Sequence, residues 1–177
     1  MKRAYMVLSL CLIVLGLVSS GCMITVNSDS CSTARLEENK AIIRRSFEEV
    51  DKGNWVTVNE MTAHDYVYHQ PGRPKPLTGE EFEQFMRSVR AAFPDGRLTI
   101  EDMIAEGDKV VTRYTLRGTH KGDFMGIPAT GKKVVVTGIV ISRIAKGKIA
   151  EDWEEFDALG FMQQLGAVPP IEEAGKK

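Results

Sequence analysis

KVVTRYTLRGTHKGDFMGIPATGKKVVVTGIVISRIAKGKIAEDWEEF, residues 109–156, carries strand patterns on both sides of the Gly126–Gly131 stretch. From Lys109 to Thr119, Val111, Arg113, Thr115 and Arg117 fall on one side of an extended chain, with Val110, Thr112, Tyr114 and Leu116 on the other. Lys132 to Ile144 is a long β-branched strand, and Ala145-Lys146-Gly147-Lys148 supplies a glycine where a tight hairpin needs positive φ. Ile149 to Phe156 returns as the partner strand, and Leu159 to Leu165 reads as a terminal turn of helix before Pro169-Pro170.

Upstream the period changes from two to helical. Leu36, Ile42, Ile43, Phe47 and Val50 are spaced for one helix, with Gly53 as its stop. Asn54 opens a shorter helix carrying Trp55, Val58 and Met61. Asp65 to His69 is a short extended piece closed by QPGRPKP. Thr78 and Glu81 form a capping box ahead of an apolar stripe of Phe82, Phe85, Met86, Val89 and Phe93, which Pro94-Asp95-Gly96 ends. Leu98-Thr99-Ile100 starts a further strand, and Glu106-Gly107-Asp108 turns. Helices first and a meander of long strands after them predict an α+β domain in which one curved, mostly antiparallel sheet wraps the N-terminal helices.

The first residues read as an address rather than as part of the fold. Lys2 and Arg3 precede an apolar run from Ala4 to Val18, followed by Ser19, Ser20, Gly21 and Cys22, the pattern of a signal peptide. The run is shorter than the roughly 20 residues a spanning helix needs. The small residues ending on Cys22 resemble a bacterial lipobox, which implies lipidation of Cys22 and an anchor in the cell envelope; ordinary secretion is the alternative. The expected organisation is a signal peptide over 1–21, a lipidated tether over 22–34, one domain over 35–168 and a tail over 169–177.

Charge excludes other classes. The whole chain has 23 Lys and Arg against 24 Asp and Glu, a net charge of −1, so the basic excess of a nucleic-acid binder is missing. Lys132-Lys133 is too short a basic run to change that. The three cysteines, Cys11, Cys22 and Cys31, show no metal-ligand spacing, so no metal site is expected; a Cys22–Cys31 disulfide is open if Cys22 escapes acylation. Gly126 to Gly131 lacks the Gly-Lys-Ser/Thr ending of a phosphate loop and precedes a strand.

Gly118-Thr119-His120, Gly126-Ile127-Pro128-Ala129-Thr130-Gly131 and Gly147-Lys148-Ile149, with His69-Gln70-Pro71 upstream, resemble the SnoaL-like polyketide cyclase (ester cyclase) family. The resemblance implies the cone-shaped fold of nuclear transport factor 2, a common tendency to form homodimers, and cofactor-independent chemistry on a small apolar carbonyl compound. In that chemistry an acidic side chain removes a proton beside a carbonyl and the enolate closes a ring by aldol addition. The family's acid/base aspartate aligns with Glu154, and the histidine that assists it aligns with Val140. His69 and His120 are the expected polarising or orienting groups. Tyr114, Trp153, Phe85, Met86, Phe124 and Val140 are the expected cavity walls. A non-catalytic domain that binds a hydrophobic ligand or a protein partner is the alternative, favoured by the valine at 140. A third reading, an epoxide-hydrolase-like activity on this fold, would need an Asp/Arg/Asp water-activating set.

Overall fold

The structure, a computed structural model, describes residues 28–169. The segment read as a signal peptide, Cys22 and the end of the C-terminal tail lie outside the described residues. Helix α1 runs over Ser28–Lys52, α2 over Trp55–Met61, strand β1 over Thr62–His69 and β2 over Leu77–Thr78. Helix α3 (Gly79–Ala92) precedes strands β3 (Arg97–Glu106), β4 (Lys109–Thr119), β5 (Lys133–Ala145) and β6 (Lys148–Phe156), and α4 spans Ala158–Leu165.

The six strands form one sheet in the order β2-β1-β6-β5-β4-β3. Every neighbouring pair is antiparallel except β1 with β6. The expected α+β architecture is therefore the observed one. The β5–β6 turn has Lys146 at φ 52° and Gly147 at φ 74°, so both central residues take the left-handed conformation of the hairpin turn that matches strand twist.

Local signals set the helix starts. Thr78 Oγ1 accepts from the Glu81 amide, while Glu81 Oε2 accepts from the Thr78 amide at 2.8 Å, completing the capping box. Asn54 caps α2, and Asp157 caps α4 through the Gly160 amide at 2.8 Å. Helix α1 begins at Ser28, inside the stretch expected as a tether over 22–34, although those residues show no helical periodicity in the sequence. Serine, threonine and cysteine cost only fractions of a kcal/mol in a helix, and extending a helix already nucleated downstream adds one bond per residue fixed.

Strand β5 separates two environments residue by residue. Val134, Val136, Gly138, Val140, Ser142 and Ile144 are buried, whereas Val135, Thr137, Ile139 and Ile141 are exposed on the opposite side. Two apolar clusters fill the concave side: Ile43, Tyr66, Tyr68, Leu77, Val110, Ile144 and Ile149 form one, and Ala92, Phe93, Phe124, Val134, Val136, Phe161 and Leu165 the other. The aromatic rings of the second cluster meet edge-on or tilted, with Phe93, Phe124 and Phe161 mutually within 6.0 Å.

Candidate active site

The sheet, α1, α3 and α4 enclose a cavity of about 630 Å³ that draws its walls from both clusters. Phe47, Phe82, Phe85, Met86, Phe124 and Val140 make its surface mainly apolar. Two acids interrupt that surface: Asp152 and Glu154, alternate residues of β6 that a period of two sends to the same face.

Glu154 is held by two phenols. Tyr68 on β1 donates to Oε2 and Tyr114 on β4 donates to Oε1, so tyrosines from both sides close on one carboxyl group. Burial raises the Glu154 carboxyl above its ordinary value of 4.5, and the two phenol hydrogen bonds work against that rise. Asp152 Oδ2 accepts from Tyr66 at 2.7 Å. Burial pushes Asp152 up to about 6, opposed by the Ser142 and Tyr66 hydroxyls and assisted by the negative charge of Glu154. All three phenols are driven far above the ordinary tyrosine range, by burial first and by the neighbouring carboxylates second, so they act as hydrogen donors at any working pH.

Tyr114 reaches Glu154 because of a glycine. In the β4–β5 register Tyr114 lies opposite Gly138, and a Cβ at Gly138 would sit 2.5 Å from the Tyr114 hydroxyl oxygen. Any side chain there displaces the ring that crosses β5 toward β6. Val140 lies opposite Glu154 in the β5–β6 register, so the position where the family resemblance places a histidine is beside the carboxyl and apolar.

Of the expected wall residues, Tyr114, Phe85, Met86, Phe124 and Val140 line the cavity. Trp153 and His69 do not. Parallel pairing of β1 with β6 sets His69 opposite Trp153, where their rings stack 5.4 Å apart with planes 7° from parallel. His69 Nε2 meets Glu151 Oε1 at 2.9 Å, and Arg143 donates to Glu151 Oε2 through Nε and Nη2 at 3.2 and 3.1 Å. Glu151, Trp153 and their partners thus occupy the outer side of the sheet, one residue out of phase with Asp152 and Glu154.

His120 also lies away from the cavity walls. It has no exposure to solvent, its ring stacks on Phe93 at 5.1 Å, and its Nδ1 accepts from the Thr130 amide at 3.3 Å. With Gly131 N–H donating to the His120 carbonyl and His120 N–H to the Lys132 carbonyl, this histidine fastens the Gly126–Gly131 loop rather than facing a substrate. Tyr66, Tyr68, Asp152 and Gly138 are the site residues that reading the sequence missed. Among the described residues no group of three His, Cys, Asp or Glu side chains is arranged to hold a metal ion.

Comparison with known proteins identifies the family and the fold. A model of the SnoaL-like polyketide cyclase family matches residues 41–165. Aklanonic acid methyl ester cyclase DauD of Streptomyces sp. (strain C5) is 31% identical over 140 residues, 75% of this chain and 84% of that protein. Nogalonic acid methyl ester cyclase of Streptomyces nogalater is 34% identical over 95 residues, 52% of this chain and 69% of that protein. Among solved structures, wild-type IdmH from Streptomyces antibioticus superposes with a TM-score of 0.66 at 33% identity, covering 72% of this chain and 98% of its own. AclR from Streptomyces galilaeus gives a TM-score of 0.71 at 25% identity, covering 78% and 87%.

Proposed function

The chain belongs to the SnoaL-like polyketide cyclase family, and on that premise we propose that it closes a ring in an apolar carbonyl compound by cofactor-independent acid/base chemistry, with Glu154 as the base. The observation that carries the proposal is the Tyr68–Glu154–Tyr114 arrangement inside the apolar cavity. A buried carboxylate of raised basicity takes a proton from the carbon between two carbonyl groups, and the electron pair of that C–H bond becomes the enolate. As Glu154 gains its proton it needs the phenol hydrogens less. Tyr68 and Tyr114 are then the donors available to the enolate oxygen, where aimed dipoles in a water-poor site are worth most. The enolate carbon attacks a further carbonyl of the same molecule, remote from the two that flank it, a C–C bond forms, and the new alkoxide recovers the proton from Glu154. The product is an isomer of the substrate.

The two phenols take the hydrogen-bonding part that the family assigns to a histidine at position 140. The relatives' names specify aklanonic acid methyl ester and nogalonic acid methyl ester, so a methyl ester of that kind is the first compound to offer. Ring closure is followed by chromatography as a new species of unchanged mass. Turnover by the wild type that falls at least roughly a hundredfold in Glu154→Gln supports the proposal. Unaltered turnover in that variant contradicts it. The apolar Val140 beside Glu154 favours a second reading, a binding domain for a hydrophobic ligand without turnover; it predicts saturable binding of the ester and no product.

Two placements complete the proposal. The exposed Val135, Ile139 and Ile141 row on the outer face of β5 suits a homodimer contact, and Ile139→Glu would shift a sedimenting dimer to monomer. The N-terminal pattern supports export with Cys22 acylated, an anchor to the envelope that mass spectrometry of membrane extracts reads as added lipid; secretion without acylation is its alternative.

A further inference from the structure

One cation stands at the cavity, and no acid of the site is paired with it. Gln70-Pro71-Gly72-Arg73 forms a turn closed by Arg73 N–H donating to the Gln70 carbonyl at 3.3 Å, with proline second and Gly72 third at φ 76°. Those are the residues a type II turn selects, and Pro74 and Pro76 stiffen the chain that follows. The side chain is ordered as well: Arg73 Nε donates to Gln70 Oε1 at 2.8 Å and its guanidinium carbon lies 5.0 Å from the centre of the Phe85 ring.

Two features turn this into a ligand contact. Arg73 is the only basic residue among the described cavity-lining side chains, and its Nη1 and Nη2 have no hydrogen bond or ion pair among the described residues. The acids that face the cavity are otherwise engaged, Glu154 by Tyr68 and Tyr114 and Asp152 by Tyr66. Glu81, whose carboxyl is held down by the Thr78 hydrogen bonds first and by Arg73 last, is committed to the Thr78 amide and hydroxyl.

We propose that Arg73 is a specificity-determining residue that binds an anionic group, a carboxylate, on the otherwise apolar compound held in the cavity. The proposal rests on reading this cavity as the substrate site. A planar guanidinium fixed at Nε and stacked on one face still presents a two-nitrogen edge, the geometry that pairs with a carboxylate. Arg73 is exposed at the cavity rim, where Gln70 and Phe85 meet part of its ordering cost before a ligand arrives, so more of the pairing energy appears as affinity. Asp152 and Glu154 repel an anion that enters the same cavity. Together the cation and the two acids orient the compound, anion at Arg73 and the carbon to be deprotonated at Glu154.

The test needs no turnover. Two fluorescent probes share an anilinonaphthalene body: 8-anilinonaphthalene-1-sulfonate carries an anion and N-phenyl-1-naphthylamine does not. Titrated into the full-length protein, the sulfonate is expected to bind and to weaken by about tenfold or more in Arg73→Met, while the neutral probe changes less than about twofold. Arg73→Lys, which keeps the charge and loses the fork, is expected to fall between. Equal loss of both probes in Arg73→Met would mean that the arginine is only a wall over Phe85, and the proposal falls. Sulfonate binding that ignores the substitution also overturns it. Retained binding of the neutral probe would leave the substrate-site reading intact in either case; a wild-type protein that binds neither probe would overturn both.

Discussion

Glu151 and Glu154 are three residues apart on β6, and the sheet gives them opposite chemistry. Glu151 lies on the outer side; although partial burial raises it, the hydrogen bonds from His69 and Arg143 prevail and hold its carboxyl below the ordinary value. Glu154 lies on the inner side, where burial prevails over two phenol hydrogen bonds and its carboxyl is raised. One partner set contains positive charge and the other contains only neutral donors. Cations cancel the cost of desolvating a carboxylate, and neutral hydroxyls reduce it without cancelling it. The inner acid is therefore the one we propose as the base, and the outer one is held as an anion by its ion pairs.

That contrast is broken most strongly by exchanging the acids for amides one at a time. Glu154→Gln is expected to cost roughly 10²–10⁴ in kcat, the usual worth of a general base, while Glu151→Gln leaves kcat within about twofold. Equal effects would erase the distinction between the faces. The pH dependence of stability sharpens it next. Asp152 is raised in the folded chain from 3.8 to about 6, so its contribution is fully present below its unfolded value and is lost as pH rises through about 6. Measured by urea unfolding, wild type should lose on the order of 2 kcal/mol relative to Asp152→Asn between pH 4 and pH 7.

Smaller effects belong to the residues that hold Glu154. Tyr68→Phe and Tyr114→Phe should each lower kcat by about tenfold, one charge-assisted hydrogen bond apiece. Gly138→Ala should match Tyr114→Phe, because a methyl group at 138 occupies the path of the Tyr114 ring. The double variant Gly138→Ala/Tyr114→Phe should then be no slower than Tyr114→Phe, a non-additivity that kinetics on all three variants checks. Smallest is the outer face: Glu151→Gln should cost about 1 kcal/mol or less in unfolding free energy, since its ion pairs are partly solvated.

How much of this was legible in the sequence depended on whether a signal was local. The Lys109–Thr119 alternation and the Thr78/Glu81 box are properties of a few adjacent residues, and both are present as read. The period-two rule also says that half of the Glu151–Glu155 acids face inward, but which half depends on register with β5 and β1. His69 shows the same limit: beside Gln70-Pro71 it reads as a pocket residue, yet parallel pairing with β6 sets it on Trp153 outside. Tyr66 and Tyr68 share a face by alternation alone; that this face looks at Asp152 and Glu154 is a property of strand order, which no local pattern carries. Gly138 had a faint signal, a lone glycine inside a β-branched run that marks a close approach. Two-residue β2 is too short to alternate at all.

The proton removal proposed for Glu154 is most directly measured as exchange with solvent rather than as ring closure. A methyl 3-ketoester with an aromatic body, incubated with the protein in D2O, should gain deuterium at the carbon between its carbonyls faster than in buffer, followed by mass spectrometry. Wild type and Glu151→Gln should accelerate that exchange alike, and Glu154→Gln should lose the acceleration by about a hundredfold or more. Exchange in Glu154→Gln as fast as in wild type would contradict the assignment of Glu154 as the base.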